Sequence, residues 1–225
     1  MNKKITSFLI IIVVIFNIFI AVGCADKNRE YDEKEVYDAA IDLIPKTVVL
    51  NELFYGYGII ADTSSTKFSG VYYEAEYMSQ KKFGIDSVEK MKEMTRACFS
   101  SKEADGIIST KLSSILDENG TPIALVRYYQ DPVDTDVIMV NSEAVIYLKD
   151  KLVYKYDTLA VTHSVGENVY VKLDVDITTE DGKEQTRTIE VALIEEKGEW
   201  RINSPTYTTY FDRDKYEDLQ NNNLK

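Results

Sequence analysis

Between Val169 and Ile177 every second residue is apolar (Val169, Val171, Leu173, Val175, Ile177), and Tyr170, Lys172, Asp174 and Asp176 fill the alternate positions. A strand turns successive side chains to opposite faces, so this pattern fits a sheet with one buried and one wet face and does not fit a helix. Asp181-Gly182 then turns the chain into Thr188 to Ile194, and Glu196-Lys197-Gly198 turns it into Trp200 to Ser204. The product is an antiparallel meander whose apolar face needs a covering layer. Gly70 to Tyr77, Ile123 to Tyr129, Val137 to Val140, Ala144 to Leu148 and Leu152 to Thr162 read as further strands.

The covering layer is foreshadowed upstream. Asp32 has the character of an N-cap, with Glu33 and Glu35 in the first turn, where they complement the helix dipole. Val36, Ala40, Leu43 and Thr47 follow at helical spacing, and Leu50, Leu53 and Phe54 continue the stripe to Gly56 and Gly58. Pro45 is expected to kink this helix or break it in two. Asp86 with Glu89, and Ser100 with Glu103, read as capping boxes for two more helices. The first carries Val88, Met91, Thr95 and Cys98 on one face, the second Ala104, Ile107, Ile108, Leu112 and Ile115. Asn119-Gly120 ends or follows the second. Helices first and strands afterwards predict an α+β fold, with N-terminal helices packed on a curved antiparallel sheet.

The first 24 residues have a different character. Lys3 and Lys4 precede an apolar run from Ile5 to Ile20, interrupted only by Thr6, Ser7 and Asn17, and Ala21-Val22-Gly23 leads into Cys24. This resembles a bacterial lipoprotein signal peptide, with cleavage before Cys24 and lipidation of its sulfur. The alternative is an uncleaved anchor, since the run sits at the lower length limit for crossing a bilayer. The expected organisation is a signal peptide over 1–23, a tether over 24–31, one α+β domain over 32–211 and a polar tail over 212–225. Such a protein works at the outer face of the cell membrane, anchored through lipid on Cys24.

Composition narrows the chemistry. The chain of 225 residues has 26 Lys and Arg against 38 Asp and Glu, a formal charge of −12, with one His and two Cys. Removing residues 1–23 takes two lysines and no acid, so the remaining chain carries −14. A nucleic-acid partner is not expected, because binding phosphate backbones requires a basic stripe. His163 cannot build a His/Cys zinc site alone, and a Ser-His-Asp triad would have to run through it. It is read as a surface residue at a strand end. With Cys24 acylated, Cys98 has no disulfide partner, and its place on a helix face reads as core packing. No nucleophile is paired with a base, so no catalytic residue, cofactor or metal is assigned.

Asp131, Asp134 and Asp136 offer hard oxygen ligands, but without the spacing and distal Glu of an EF-hand loop they are not read as a calcium site. Asp174 and Asp176, on one strand face with Glu190 nearby on the neighbour, read as a wet outer face and not as an acid/base pair.

The closing segment, Gly182-Lys183-Glu184, Arg187-Thr188-Ile189-Glu190-Val191 and Gly198-Glu199-Trp200-Arg201-Ile202, resembles the last hairpins of cystatin-like or nuclear-transport-factor-like cones. A longer stretch, Asn51 to Ile202, resembles the IseA-type family of bacterial D,L-endopeptidase inhibitors. The resemblance runs through Phe54-Tyr55-Gly56-Tyr57-Gly58, Tyr72-Tyr73, the helix from Asp86 to Phe99, the strand from Leu125 to Tyr129 and Trp200-Arg201-Ile202.

That resemblance implies a secreted wall protein that blocks a cysteine peptidase, with no turnover and no cofactor. The family's cleft-entering loop corresponds to Tyr129, Gln130, Asp131, Pro132, Val133, Asp134, Thr135 and Asp136. Partner contacts are therefore expected at Tyr129, Gln130, Asp131, Pro132, Asp134 and Asp136, with Tyr129 as an apolar anchor and the carboxylates meeting a basic cleft rim. The alternative for this segment is a solvated turn rich in Asp because Asp favours turns. The main rival class is an enzyme, with a small ligand held in the hollow of a cone that some of the 16 tyrosines could line, and a further alternative is a non-catalytic lipoprotein with a cystatin-like cone that binds a small ligand or the cell wall.

Overall fold

The structure is a computed structural model that describes residues 30–66, 70–112, 125–131, 134 and 136–204. The leader, Cys24, most of the tether, Ile115, Asn119-Gly120, Pro132 and the 212–225 tail lie outside the described residues. No helix among the described residues is long and apolar enough to cross a membrane.

The fold is α+β, with antiparallel sheets and helices packed together. Helix α1 spans Glu33–Tyr55, followed by strand β1 Tyr72–Glu74, then α2 Tyr77–Phe83, α3 Val88–Cys98 and α4 Ser101–Lys111. The later strands are β2 Tyr128–Gln130, β3 Ile138–Asn141, β4 Lys151–Val165, β5 Asn168–Thr178, β6 Glu184–Glu196 and β7 Glu199–Ser204. They do not form one continuous sheet. A three-stranded sheet has the order β1-β3-β2 and a four-stranded meander the order β4-β5-β6-β7.

The meander follows the alternation in the sequence. Val169, Val171, Leu173, Val175 and Ile177 are all at most 1% exposed. The first three face Leu193, Val191 and Ile189 in register on β6. The opposite face is a polar ladder. Thr188 donates to Asp174 at 2.6 Å, Thr186 donates to Asp176 at 2.5 Å, and Lys155 and Lys172 pair with Asp176 and Glu190. The Lys155 ammonium and the Thr186 hydroxyl hold the Asp176 carboxyl below its usual range. These exposed pairs set register more than stability.

Helix α1 lies on the apolar face of this sheet. Asp32 caps it by accepting from the Lys34 and Glu35 amides. Val36, Ala40, Leu43, Leu50, Leu53 and Phe54 are buried. Fully burying a leucine such as Leu53 contributes roughly 2 kcal/mol. Trp200 of β7 donates its indole N–H to Glu35 at 3.0 Å. The helix runs unbroken through Pro45. Proline removes only the amide that would bond the Ile41 carbonyl, and Ile41 lies outside the core at 36% exposure.

Several local expectations give way to tertiary partners. The strand predicted over 70–77 is only three residues long, and Tyr77 instead opens α2. Glu76 caps that helix by accepting from the Met78 and Ser79 amides, and Gly84 closes it in the left-handed region. The cap of α3 is Ser87, not Asp86. Ser100 occupies the N-cap position of α4 but makes no capping bond. Its hydroxyl donates to Asn203, while Glu196 of β6 accepts from the amide and hydroxyl of Ser101. Those bonds pull the Glu196 carboxyl below its ordinary range. Among the described part of 123–129, only Tyr128 and Tyr129 are extended. Residues 144–148 form no strand, because the Tyr147 and Leu148 amides both bond the Tyr55 carbonyl at 2.8 Å.

Those last bonds belong to a larger arrangement at the end of α1. A helix leaves its final four carbonyls without partners in its own ladder. Here Gly56 N–H bonds Asn51 and Glu52, Tyr128 Oη donates to Leu53, Arg127 Nη1 donates to Phe54, and Tyr147 and Leu148 bond Tyr55. Arg127 Nη2 continues to the carbonyls of Gly56 and Tyr57, and its Nε donates to Tyr128 Oη. Tyr128 Oη also accepts from the Ile59 amide. Gly58, at φ +60°, lets the chain pass beneath this cluster, and an added Cβ would collide with Tyr128 Oη and the Leu53 carbonyl.

Gly84 has a similar φ of +65° but open space around it, so the two glycines separate backbone strain from crowding. Gly84→Ala is expected to cost about 1 kcal/mol in urea denaturation, from the left-handed conformation alone. Gly58→Ala is expected to cost about 3 kcal/mol, because it also displaces the Tyr128 hydroxyl from the helix end.

Candidate functional site

The segment expected to meet a partner is the turn between β2 and β3, which pair antiparallel with Tyr129 opposite Met139 and Gln130 opposite Ile138. Tyr129 is 2% exposed. Its ring meets Tyr72 edge-on at 4.7 Å, within a small cluster that includes Val126 and Met139. Burial also pushes its phenol well above the usual range. The expected anchoring role of Tyr129 is therefore corrected: in a strand buried on both faces, its apolar area is already spent inside the protein.

Gln130 also works inward. Its Oε1 accepts from the Val88 amide in the first turn of α3, and its Nε2 donates to the Val137 carbonyl. It ties the turn to a helix, which leaves the carboxylates as the part that reaches solvent. Asp131 Oδ1 accepts from the Asp134 amide at 2.8 Å and Asp134 Oδ1 from the Asp136 amide at 3.1 Å. The backbone closes with Asp131 N–H to Val137 and Val137 N–H to Asp134. Asp134 and Asp136 are exposed and Asp131 half-buried. These side-chain-to-backbone turns stabilise the segment locally, as Asp does in many loops. Among the described residues no group of His, Cys, Asp or Glu is arranged to hold a metal ion.

A second feature is not singled out by the sequence reading. Beside the end of α1 lies an open groove of about 260 Å3. Its walls include Phe54, Leu125, Val145 and Tyr147, and it carries two cations, Lys111 and Arg127. Lys111 is the last residue of α4, where a cation suits the helix dipole. Its ammonium lies 4.8 Å from the Tyr55 ring centre and 5.6 Å from that of Tyr147. Burial, and secondarily the neighbouring Arg127 charge, lower its pKa. The one sequence signal was Arg127 itself, a single charge set between Leu125-Val126 and Tyr128-Tyr129.

Cys98 and His163 fall where the sequence reading placed them. Cys98 is fully buried, with Sγ 3.1 Å from Thr47 Oγ1 and donating to the Leu43 carbonyl at 3.7 Å, so it joins α3 to α1. His163 is exposed near the end of β4, its ring stacked on Tyr170 at 4.6 Å and its Nδ1 3.0 Å from Thr162 Oγ1. That contact orients an imidazole on a sheet surface.

No known family model matches the chain, and no curated protein matches it.

Burial pushes the Cys98 thiol up to about 11. A pKa raised in the folded state means that the unfolded chain releases this proton first as pH rises. The thiol's contribution to stability is therefore complete below about pH 9 and lost as pH climbs toward 11. At pH 8 an aromatic disulfide reagent is expected to label Cys98 only on unfolding, and Cys98→Ala should fall less steeply in stability between pH 9 and 11. Rapid labelling of the native protein would contradict the burial.

Proposed function

We propose that this protein is a non-catalytic, extracytoplasmic lipoprotein, held at the outer face of the cell membrane through Cys24, that binds a cell-wall D,L-endopeptidase and occludes its cleft. The observation that carries this reading is the acidic turn between β2 and β3. Its carboxylates are exposed at Asp134 and Asp136, its backbone is braced by two side-chain-to-amide bonds, and Gln130 fastens its base to α3. Bonds that hold Gln130, Asp131, Asp134 and Asp136 in place before encounter lower the conformational entropy lost at those residues on binding. The negative charge of the chain would also draw it to a basic enzyme and weaken with salt. In this reading Tyr129 and Gln130 hold the turn in position, and the contacts fall to Asp131, Pro132, Asp134 and Asp136. The resemblance over Asn51 to Ile202 supplies the partner class.

Asp→Asn substitution removes charge but keeps an oxygen that can accept the same amide bonds. A triple change of Asp131, Asp134 and Asp136 to Asn therefore tests the charge separately from the turn. Titrated into an NlpC-type D,L-endopeptidase digesting peptidoglycan, the unaltered protein is expected to inhibit at one-to-one stoichiometry. The triple variant should lose at least about tenfold in affinity at low salt while unfolding at the same urea concentration. Absence of inhibition and of binding to several such enzymes would overturn the proposal.

A further inference from the structure

We infer that the groove beside the end of α1 is a binding site for a small organic carboxylate, with Lys111 as the charge that recognises it. The inference is independent of the peptidase reading, since it uses none of the acidic turn.

The reasoning starts from charge. In a chain with a formal charge of −12, a lysine finds acidic neighbours easily, and most ion pairs here are of that ordinary exposed kind. Lys81, Lys82, Lys151 and Lys197 have no ion pair among the described residues, but they are exposed, whereas Lys111 is half-buried. Among the described residues no carboxylate lies within ion-pair distance of it, and the charged group that acts on it is another cation, Arg127. Glu143 lines the groove without reaching the ammonium. Partial burial of an ammonium beside a guanidinium is unfavourable for folding, and the two tyrosine faces return only part of that cost. An arrangement that lowers stability without a structural return is characteristic of binding sites.

Arg127 is occupied by the helix. Its bonds to Tyr128, Phe54, Gly56 and Tyr57 account for four of its five hydrogens, leaving one on Nη1. It contributes field and at most one donor, whereas the three hydrogens of Lys111 have no hydrogen-bond acceptor among the described residues. The walls define the rest of the ligand. Leu125 is 60% exposed and Val145 62% exposed, an apolar pair left to solvent on a groove that also contains Phe54. A volume of about 260 Å3 is at the small end for ligand pockets. A carboxylate on a compact apolar body matches both the charge and the lining.

Benzoate is a suitable probe, with benzamide as its uncharged counterpart of the same shape. By calorimetric titration into the protein at low salt, benzoate is expected to bind with Kd of about 1 mM or tighter, and at least about tenfold more tightly than benzamide. Amide NMR signals of Ala144 to Tyr147 should shift on titration. Lys111→Met should reduce the benzoate preference to below about twofold, while Lys111→Arg keeps it within about threefold of the original protein. Because Lys111→Met removes a half-buried cation with no ion-pair partner among the described residues, its unbound melting temperature should be equal to or above that of the original, which separates lost recognition from lost folding. Equal affinity for benzoate and benzamide, no binding of benzoate at about 10 mM, or a preference that survives in Lys111→Met would each overturn the assignment.

Discussion

The rest of the structure depends on how the C-terminal end of α1 is satisfied. A 23-residue helix that ends inside the protein presents carbonyls that water cannot reach, and its last turn contains no basic residue. The missing cation comes from 70 residues further along, as Arg127, and the missing hydroxyl from Tyr128 beside it. Their bonds fix the helix against the three-stranded sheet. The Tyr147 and Leu148 amides, on the Tyr55 carbonyl, bring in the chain that leads to β4. One helix end thus connects both sheets. The negative end of the helix dipole supplies compensation for the buried guanidinium without requiring a carboxylate.

The two faces of the meander divide the work differently. The inner face supplies volume and apolar area from β5, β6 and β7 to α1 and α3. The outer face carries threonine, lysine and carboxylate partners that hold the strands in register. Few of its acids are available to the interior, and that scarcity gives the Lys111 and Arg127 pair its significance. Arg127 of the groove precedes β2 and the acidic turn follows it, so opposite charges lie at the two ends of one short strand.

Legibility in the sequence followed the length of each periodic pattern. The meander was readable because five apolar residues alternate without exception across Val169 to Ile177, and α1 and α3 because caps and a 3.6-residue stripe agreed. The three-residue strands β1 and β2 carry too few residues for a period to show, and in β2 burial on both faces erases alternation. The start of α2 was misread because Tyr72 to Tyr77 is rich in aromatic residues that favour strands, yet Glu76 and Gly84 cap a helix there. For the acidic turn, its composition and position were visible, but the inward orientation of Tyr129 and Gln130 was not. A strand's facing is decided by the sheet and helix that it meets.

The sequence by itself determined the α+β class, the meander, the core faces of α1 and α3 and the burial of Cys98, because each rests on local periodicity or a local cap. Tertiary structure alone decided that the strands divide into two sheets, that Glu196 caps α4, that Arg127 and Tyr128 finish α1 and that Lys111 faces an open groove with no ion-pair partner among the described residues. Those features join residues separated by 16 to 95 positions, such as Lys111 with Arg127 and Ser101 with Glu196. Hydrogen-bond and charge complementarity over such separations has no local period, so it emerges only when packing brings the partners together.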